Sequence, residues 1–273
     1  MATAMDAISN LYPFSLLKSP YRPEQELEFI HSISYCMIVT GLLTLVTLQY
    51  VNAPYGRYSS AKWGVFIPAK FAWLVQELPS FVAPVFCIYL GSKPNIANRC
   101  LLGIFLTHYV QRTFIYPLLI KGGKPTPLIP FLLALVFCLG NGYIQGRNLT
   151  KFADYSDGYV LQPKFIVGAC LFFIGMAINI HSDHILRNLR KPGDTAYRIP
   201  KGGMFEYVSG ANFFGEIIEW CGYAIACWNL PALAFAIFTI CNIGPRACSH
   251  HRMYQQKFDD YPCHRKALIP FII

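Results

Sequence analysis

Apolar side chains come in long runs of about twenty residues, separated by short polar stretches rich in Pro, Gly, Lys and Arg. A helix needs roughly 20 mostly apolar residues to cross the hydrocarbon core of a bilayer. Seven stretches fit, at about 29–51, 70–91, 98–120, 127–147, 163–186, 207–228 and 229–248. The first and fifth are the most continuous; polar residues interrupt the third, sixth and seventh. Only Asn229, Leu230 and Pro231 divide the last two, which reads as a tight helical hairpin, with a six-span count as the competing reading. The pattern predicts an all-α integral membrane protein with seven transmembrane helices. It forms a single domain over 1–273: an N-terminal segment 1–28, a bundle 29–248 and a C-terminal tail 249–273.

Composition narrows this further. Hydrophobic residues make up 54% of the 273 residues and charged residues only 14%, against roughly 25% charged in soluble domains. The apolar fraction excludes disorder. The net charge of +9 could suggest nucleic acid, but such binders cluster their cations on a water-soluble face, and here the cations lie between apolar runs. Ten Cys are scattered, mostly inside apolar segments and without a CxxC pair, which excludes a disulfide scaffold.

Residues 1–20 lack a basic segment followed by an apolar core and a small-residue cleavage site, so the first span directs insertion. Lys and Arg in the loops set the orientation. One side holds fifteen, from Arg57, Lys62 and Lys70 to Arg265 and Lys266. The other holds seven, from Lys18 and Arg22 to Lys151 and Lys164, with Arg112 left inside a span. The richer side is expected to be cytosolic, with the C-terminus there and the N-terminus in a lumen. Asn148-Leu149-Thr150 is a glycosylation sequon on the expected lumenal side, close to a span.

Charged side chains at membrane depth cost at least about 2.5 kcal/mol each and need a partner, a cavity or a function. The second span carries Gln76-Glu77 ahead of Pro79, read as a kink-associated polar pair or as a Glu facing a cavity. In the third span Tyr109, Arg112 and Tyr116 recur at helical spacing on one face, with His108 adjacent as a structural histidine. The fifth span carries Asn179, Asp183, Arg187 and Arg190; the sixth carries Asn212, Glu216, Glu219 and Tyr223. Arg246, His250 and Tyr254 follow at four-residue steps, with Arg252 and Lys257 nearby, so a surface amphipathic helix is an alternative there. Together these faces suit a deep polar cavity for an anionic, multiply hydrogen-bonding cofactor, beside an apolar compartment for a lipid-like substrate.

Other motifs carry less. Gly140-Asn141-Gly142 followed by Gly146 superficially resembles a dinucleotide fingerprint but lies in an apolar helical run. His250 and His251 have no further ligands at zinc spacing, so no metal is expected. GxSxG, Walker A and HExxH sequences do not occur.

The segments QELPSF, HYVQRTFIYP, FCLGNGY, GMAINIHSDHILRNLRKPGDTAYRIPKGGMFEYVSGANFFGEIIEWCGYA and YPCHRKALIPFII resemble the steroid 5α-reductases, from about Ala69 to the last residue. The resemblance implies a seven-helix, multi-pass enzyme of the endoplasmic reticulum membrane. It would use NADPH to reduce the 4,5 double bond of 3-oxo-4-ene steroids such as testosterone, progesterone and androstenedione. In that family the residues matching Gln76, Glu77 and Tyr109 flank the 3-oxo group, and the one matching Trp73 lines the cavity. The family's cofactor contacts correspond here to Arg112, Tyr116, Asn179, Asp183, Arg190, Arg198, Asn212, Glu216, Arg246, His250 and Tyr254. A basic residue after the third span is matched, one residue displaced, by Lys124. A cationic position in the fourth span of some members is Leu133 here. The implied partners are a steroid and membrane lipid, with neither nucleic acid nor an obligatory protein partner.

The chemistry agrees with the residues. Hydride delivery to the β-carbon of an enone leaves negative charge on the carbonyl oxygen, and donors at that oxygen stabilise the transition state. Tyr109 can donate its phenolic proton, and Glu77 can donate in the protonated form that apolar burial favours. The proton for C4 would come from solvent. Rival readings are a reductase of another lipid enone or enoyl substrate, a membrane methyltransferase, and a proton-coupled transporter using Glu77, Glu216 and Glu219. The absence of paired inverted repeats weighs against the last.

Overall fold

A computed structural model describes residues 22–90, 95–189 and 196–273. Among these, seven long helices occupy the seven apolar runs: α1 Pro23–Tyr50, α2 Ala69–Leu90, α3 Ile96–Tyr109, α4 Leu128–Arg147, α5 Pro163–Asn188, α6 Ala211–Cys227 and α7 Leu230–Lys257. Five of them, α1, α2, α4, α5 and α7, are long and apolar enough to cross a membrane. α3 has 14 residues, but a π-helical turn Val110–Ile115 and a short α-helical turn Tyr116–Leu119 continue it. The π-turn is marked by the Tyr116 N–H bonding the Gln111 carbonyl five residues back. A second π-turn, Asn148–Phe152, extends α4.

Helix boundaries follow local chemistry. Proline opens α1, α5 and α7, where its missing N–H costs nothing. The α6–α7 hairpin turns at Trp228, held at φ 49°, and the Asn229 side chain caps α7 by accepting from the Ala232 N–H at 3.0 Å. The expected tripeptide turn is therefore present. A two-residue ladder, β1 Phe66–Ile67 against β2 Thr126–Pro127, ties the approach to α2 to the approach to α4.

Glycines set the two closest helix pairs. A Cβ at Gly142 would lie 2.8 Å from the Pro79 carbonyl oxygen, and one at Gly146 2.7 Å from Pro84 Cα, so α4 rests directly on α2. On α5 and α6, Gly168, Gly175, Gly215 and Gly222 bring backbone onto backbone; a Cβ at Gly175 would meet the Glu219 nitrogen at 2.3 Å. The core between them is aromatic, with Phe105, Phe172, Trp220 and Tyr223 at most 1% exposed. Outward faces are apolar, as at Leu43, Val46 and Val136. Leu133 is on such a face, 66% exposed.

Three expectations change. α1 begins at Pro23, so the boundary at residue 28 falls inside a helix. Residues 207–210 precede α6. α7 continues to Lys257, beyond residue 248, so Arg246, His250 and Tyr254 lie on the inward extension of one long helix and not on a separate surface helix. The remaining chain folds back: Val208 pairs with Lys266, the Ser209 and Gly210 N–H groups donate to the Lys266 and Ala267 carbonyls at 2.8 and 3.0 Å, and Leu268 packs on Phe213, Ile243 and Ala247. The sequon is buried, with Asn148 only 6% exposed, which leaves its side chain out of reach of a glycosylating enzyme.

Candidate functional site

The polar residues of the spans gather in three connected groups. In the first, α2, α3 and α4 bring together Glu77, Tyr109, Cys138 and Asn141. Gln76 Nε2 donates to Glu77 Oε1 at 3.4 Å, and the Cys138 thiol faces Glu77 Oε2 at 3.6 Å. Three residues further along α4, Asn141 Nδ2 donates to the Tyr109 hydroxyl at 3.4 Å. Tyr109 is 2% exposed, and Phe105, His108 and Trp220 surround its ring. Two potential proton donors, one carboxyl and one phenol, thus face the same turn of α4 from different helices.

The second group centres on Arg112. Its guanidinium reaches Asp183 Oδ2 at 3.4 Å and Glu216 Oε2 at 3.8 Å. It lies 4.5 Å from the centroid of the Trp73 ring and 4.7 Å from that of Tyr116, and these two rings meet edge to face. The guanidinium thus sits at the corner the two rings form, within cation–π distance of both. Asn179 Nδ2 donates to the Asn212 carbonyl at 2.9 Å and to Glu216 Oε2 at 3.5 Å. α5 and α6 can exchange these bonds because Gly175 and Gly215 let their backbones touch.

The third group lies where α1 and α7 end. Arg246 donates to the Tyr55 hydroxyl and stacks on Tyr55 and Phe213. His250 packs between Tyr58 and Phe213. Arg57 Nη2 donates to the Tyr254 hydroxyl at 3.3 Å, and Lys124 Nζ donates to the Arg57 carbonyl at 3.3 Å. Burial raises the Tyr58 phenol above its ordinary value. Among the described residues no carboxylate is in ion-pair contact with Arg57, Arg187 or Arg246, and Arg187 Nη1 is buried without a partner.

Most residues singled out in the sequence therefore meet. Arg198 is exposed in the loop before α6, next to Tyr197, whose ring packs under Arg57. Arg190 lies outside the described residues. Two groupings read from helical spacing are corrected. Tyr109, Arg112 and Tyr116 do not act as one uniform face, because the π-turn between them directs Tyr109 to α4 and Arg112 to α5 and α6. Likewise Glu216 and Glu219 part company: Glu216 joins Arg112, while Glu219, fully buried, pairs with His108 Nδ1 at 2.7 Å. Tyr55, Arg57, Tyr58 and the buried amides Asn141 and Gln145 carry no periodic signal that picks them out. The GNGYIQG run holding the last two reads as a failed fingerprint.

The chain also has clear relatives. A family model described as 3-oxo-5-alpha-steroid 4-dehydrogenase matches residues 124–273. The 3-oxo-5-alpha-steroid 4-dehydrogenase 1 of Mus musculus is 52% identical over 251 residues, 91% of this chain and 98% of the relative. That of Bos taurus is 50% identical over 249 residues, 89% of this chain and 97% of the relative. The 3-oxo-5-alpha-steroid 4-dehydrogenase 2 of Homo sapiens is 51% identical over 247 residues, covering 86% and 96%.

Proposed function

The chain belongs to the 3-oxo-5-alpha-steroid 4-dehydrogenase family, and we propose that it reduces the 4,5 double bond of 3-oxo-4-ene steroids with NADPH, using Glu77 and Tyr109 at the 3-oxo oxygen. The observation that carries the site assignment is the meeting of Glu77 and Tyr109 over Cys138 and Asn141 on one turn of α4. A conjugated ketone gains negative charge on its oxygen as C5 is reduced. Two O–H donors fixed in an apolar surround stabilise that charge without reorganising. Tyr109 donates its phenolic proton, and Glu77 donates in its neutral form, while Gln76 holds the carboxyl in place. The C4 proton comes from solvent, and Trp73 lines the compartment.

The second and third groups fit NADPH by the chemistry of their donors. Among the described residues, Arg57, Arg187 and Arg246 present cations with no carboxylate on them, and Arg187 Nη1 is a buried donor without an acceptor. Arg112, neutralised by Asp183 and Glu216, instead orders the wall next to the reacting end. Tyr116, Asn179, Asn212, His250, Tyr254 and Lys124 complete the lining, and Arg190 and Arg198 are included because they match the family's cofactor contacts in the resembling segment. Bound there, NADPH supplies the hydride equivalent. On this reading the enzyme resides in the endoplasmic reticulum membrane with seven spans, α3 and α6 included, a lumenal N-terminus and a cytosolic C-terminus; the loop distribution of Lys and Arg supports this orientation.

The test is NADPH oxidation by purified protein with testosterone, the product identified by mass spectrometry. A gain of two hydrogens in the 5α configuration is expected. If Glu77→Gln and Tyr109→Phe both keep wild-type turnover, the assignment of the donors is wrong.

A further inference from the structure

The run Gly140-Asn141-Gly142-Tyr143-Ile144-Gln145-Gly146 on α4 holds two amides that the proposed reaction leaves unused. Gly142 and Gly146 are explained by the contact with α2. Asn141 and Gln145, one turn apart on a neighbouring face, are 0% and 1% exposed. A buried amide left without partners is strongly destabilising, so the bonds these two make decide how they are oriented.

Their partners impose a direction. Gln145 Nε2 donates to the Pro231 carbonyl at 2.8 Å and to Asn141 Oδ1 at 3.2 Å. A backbone carbonyl only accepts, so Pro231 fixes which end of the Gln145 amide faces it. Gln145 then fixes Asn141: the Asn141 oxygen is taken, and its NH2 group is left facing Tyr109, with Nδ2 3.4 Å from the phenolic oxygen. Ser80, on α2, donates its own proton to the Cys138 carbonyl at 2.9 Å. Tyr109 therefore receives a hydrogen bond from Asn141, which has no free acceptor on that side to draw the phenolic proton.

We infer that Asn141 and Gln145 are positioning residues for the Tyr109 hydroxyl. They occupy its lone pair, turn its O–H toward the substrate oxygen and, through hydrogen-bond polarisation, make it a stronger donor. Pro231 opens α7, so the α6–α7 hairpin is the fixed anchor of this chain of amides. The inference rests on the reading of Tyr109 as a donor to the 3-oxo group.

The experiment uses the purified full chain and compares Asn141→Leu, close in shape but without the amide, and Gln145→Met, each alone and combined with Tyr109→Phe. Steady-state kcat and steroid KM are measured together with NADPH binding. Asn141→Leu should lower kcat about 10- to 100-fold, below or at the range for loss of a direct oxyanion donor, with steroid KM and NADPH affinity within about twofold. Gln145→Met should lower kcat less, about 3- to 10-fold. Neither should add a further loss in the Tyr109→Phe background, where no hydroxyl remains to be aimed. Equal losses in both backgrounds, unchanged kcat, or a rise in KM alone would overturn the inference. If Asn141→Leu loses NADPH binding, Gln145→Met decides by the same cycle. Wild-type turnover by Tyr109→Phe itself would instead overturn the donor reading beneath it, a result separable from the other outcomes.

Discussion

Glu26, on the first turn of α1, and Arg147, at the end of α4, form a two-point ion pair, with Nε–Oε1 at 2.7 Å and Nη2–Oε2 at 3.0 Å. Lys151 Nζ adds a contact at 2.5 Å and the Tyr143 hydroxyl donates at 3.2 Å, so the buried carboxylate is saturated. Removing one partner strands the other. Glu26→Ala should lower stability by about 3–5 kcal/mol, whereas Glu26→Leu with Arg147→Met should recover much of the loss. Thermal unfolding in detergent measures both, and equal unfolding temperatures for the single and the double variant would contradict the account.

The α5–α6 contact admits no side chain at Gly175. Gly175→Ala would set a methyl 2.3 Å from the Glu219 backbone nitrogen, so the helices must separate. Separation stretches the Asn179–Asn212 bond as well. The expected cost lies toward the upper end of about 1–3 kcal/mol, with weakened NADPH binding, read as a lower unfolding temperature and a raised Kd in one preparation. Gly103→Ala, with open space at its Cβ, is the control and should be near neutral.

Arg112 combines charge with a planar group held against both the Trp73 and the Tyr116 rings. Arg112→Lys keeps the charge but loses the stacking and the two-carboxylate reach. NADPH affinity should fall about tenfold or more, roughly 1.4 kcal/mol, and Arg112→Ala should fall further, since Asp183 and Glu216 would then face an anionic cofactor uncompensated. Titration of NADPH fluorescence tests this; equal affinities for the wild type and Arg112→Lys would assign the stacking no role.

Glu206 predicts a pH effect. It accepts from the Gly202 N–H and from Arg265 Nη2, and these bonds hold its carboxyl below the ordinary value of 4.5. A carboxyl lowered in the folded state stabilises it fully above the ordinary value and loses that effect as pH falls through the folded value. Because Glu206 is half exposed, the effect is small, about 0.5–1 kcal/mol. The gap in unfolding temperature between wild type and Glu206→Gln should stay constant down to about pH 5 and close below 4.5. A gap that did not shrink at all as pH falls below 4.5 would refute this role of Glu206.

Helix existence was legible because apolar runs of bilayer length leave few alternatives, and the Asn229-Leu230-Pro231 turn carries both a cap and a helix-opening proline. The polar residues at steps of three and four marked Asp183, Arg112 and Glu216, which do meet. Their grouping was not legible. Helical spacing assumes 3.6 residues per turn, and the π-turn after Tyr109 breaks that assumption with residues, Val110 to Ile115, that look ordinary. Glu219 and His108 find each other across 111 positions of sequence, and the pairing of Arg147 with Glu26 spans 121. The segment holding Tyr55 and Arg57 has no periodicity to read, since it is loop and single helical turns.

The π-turn at Val110–Ile115 also acts as a vernier between the two halves of the pocket. It holds one residue more than a regular turn would, and each residue of a regular helix advances the rotation by about 100°. Excising a single residue there would restore an uninterrupted helix, leave Tyr116 in phase with Tyr109, and turn Arg112, inside the turn, away from the direction it now takes. Proton donation and cofactor seating are thus geared to each other by one peptide unit, and a shift in that gear would leave both parts intact while their strokes no longer coincide.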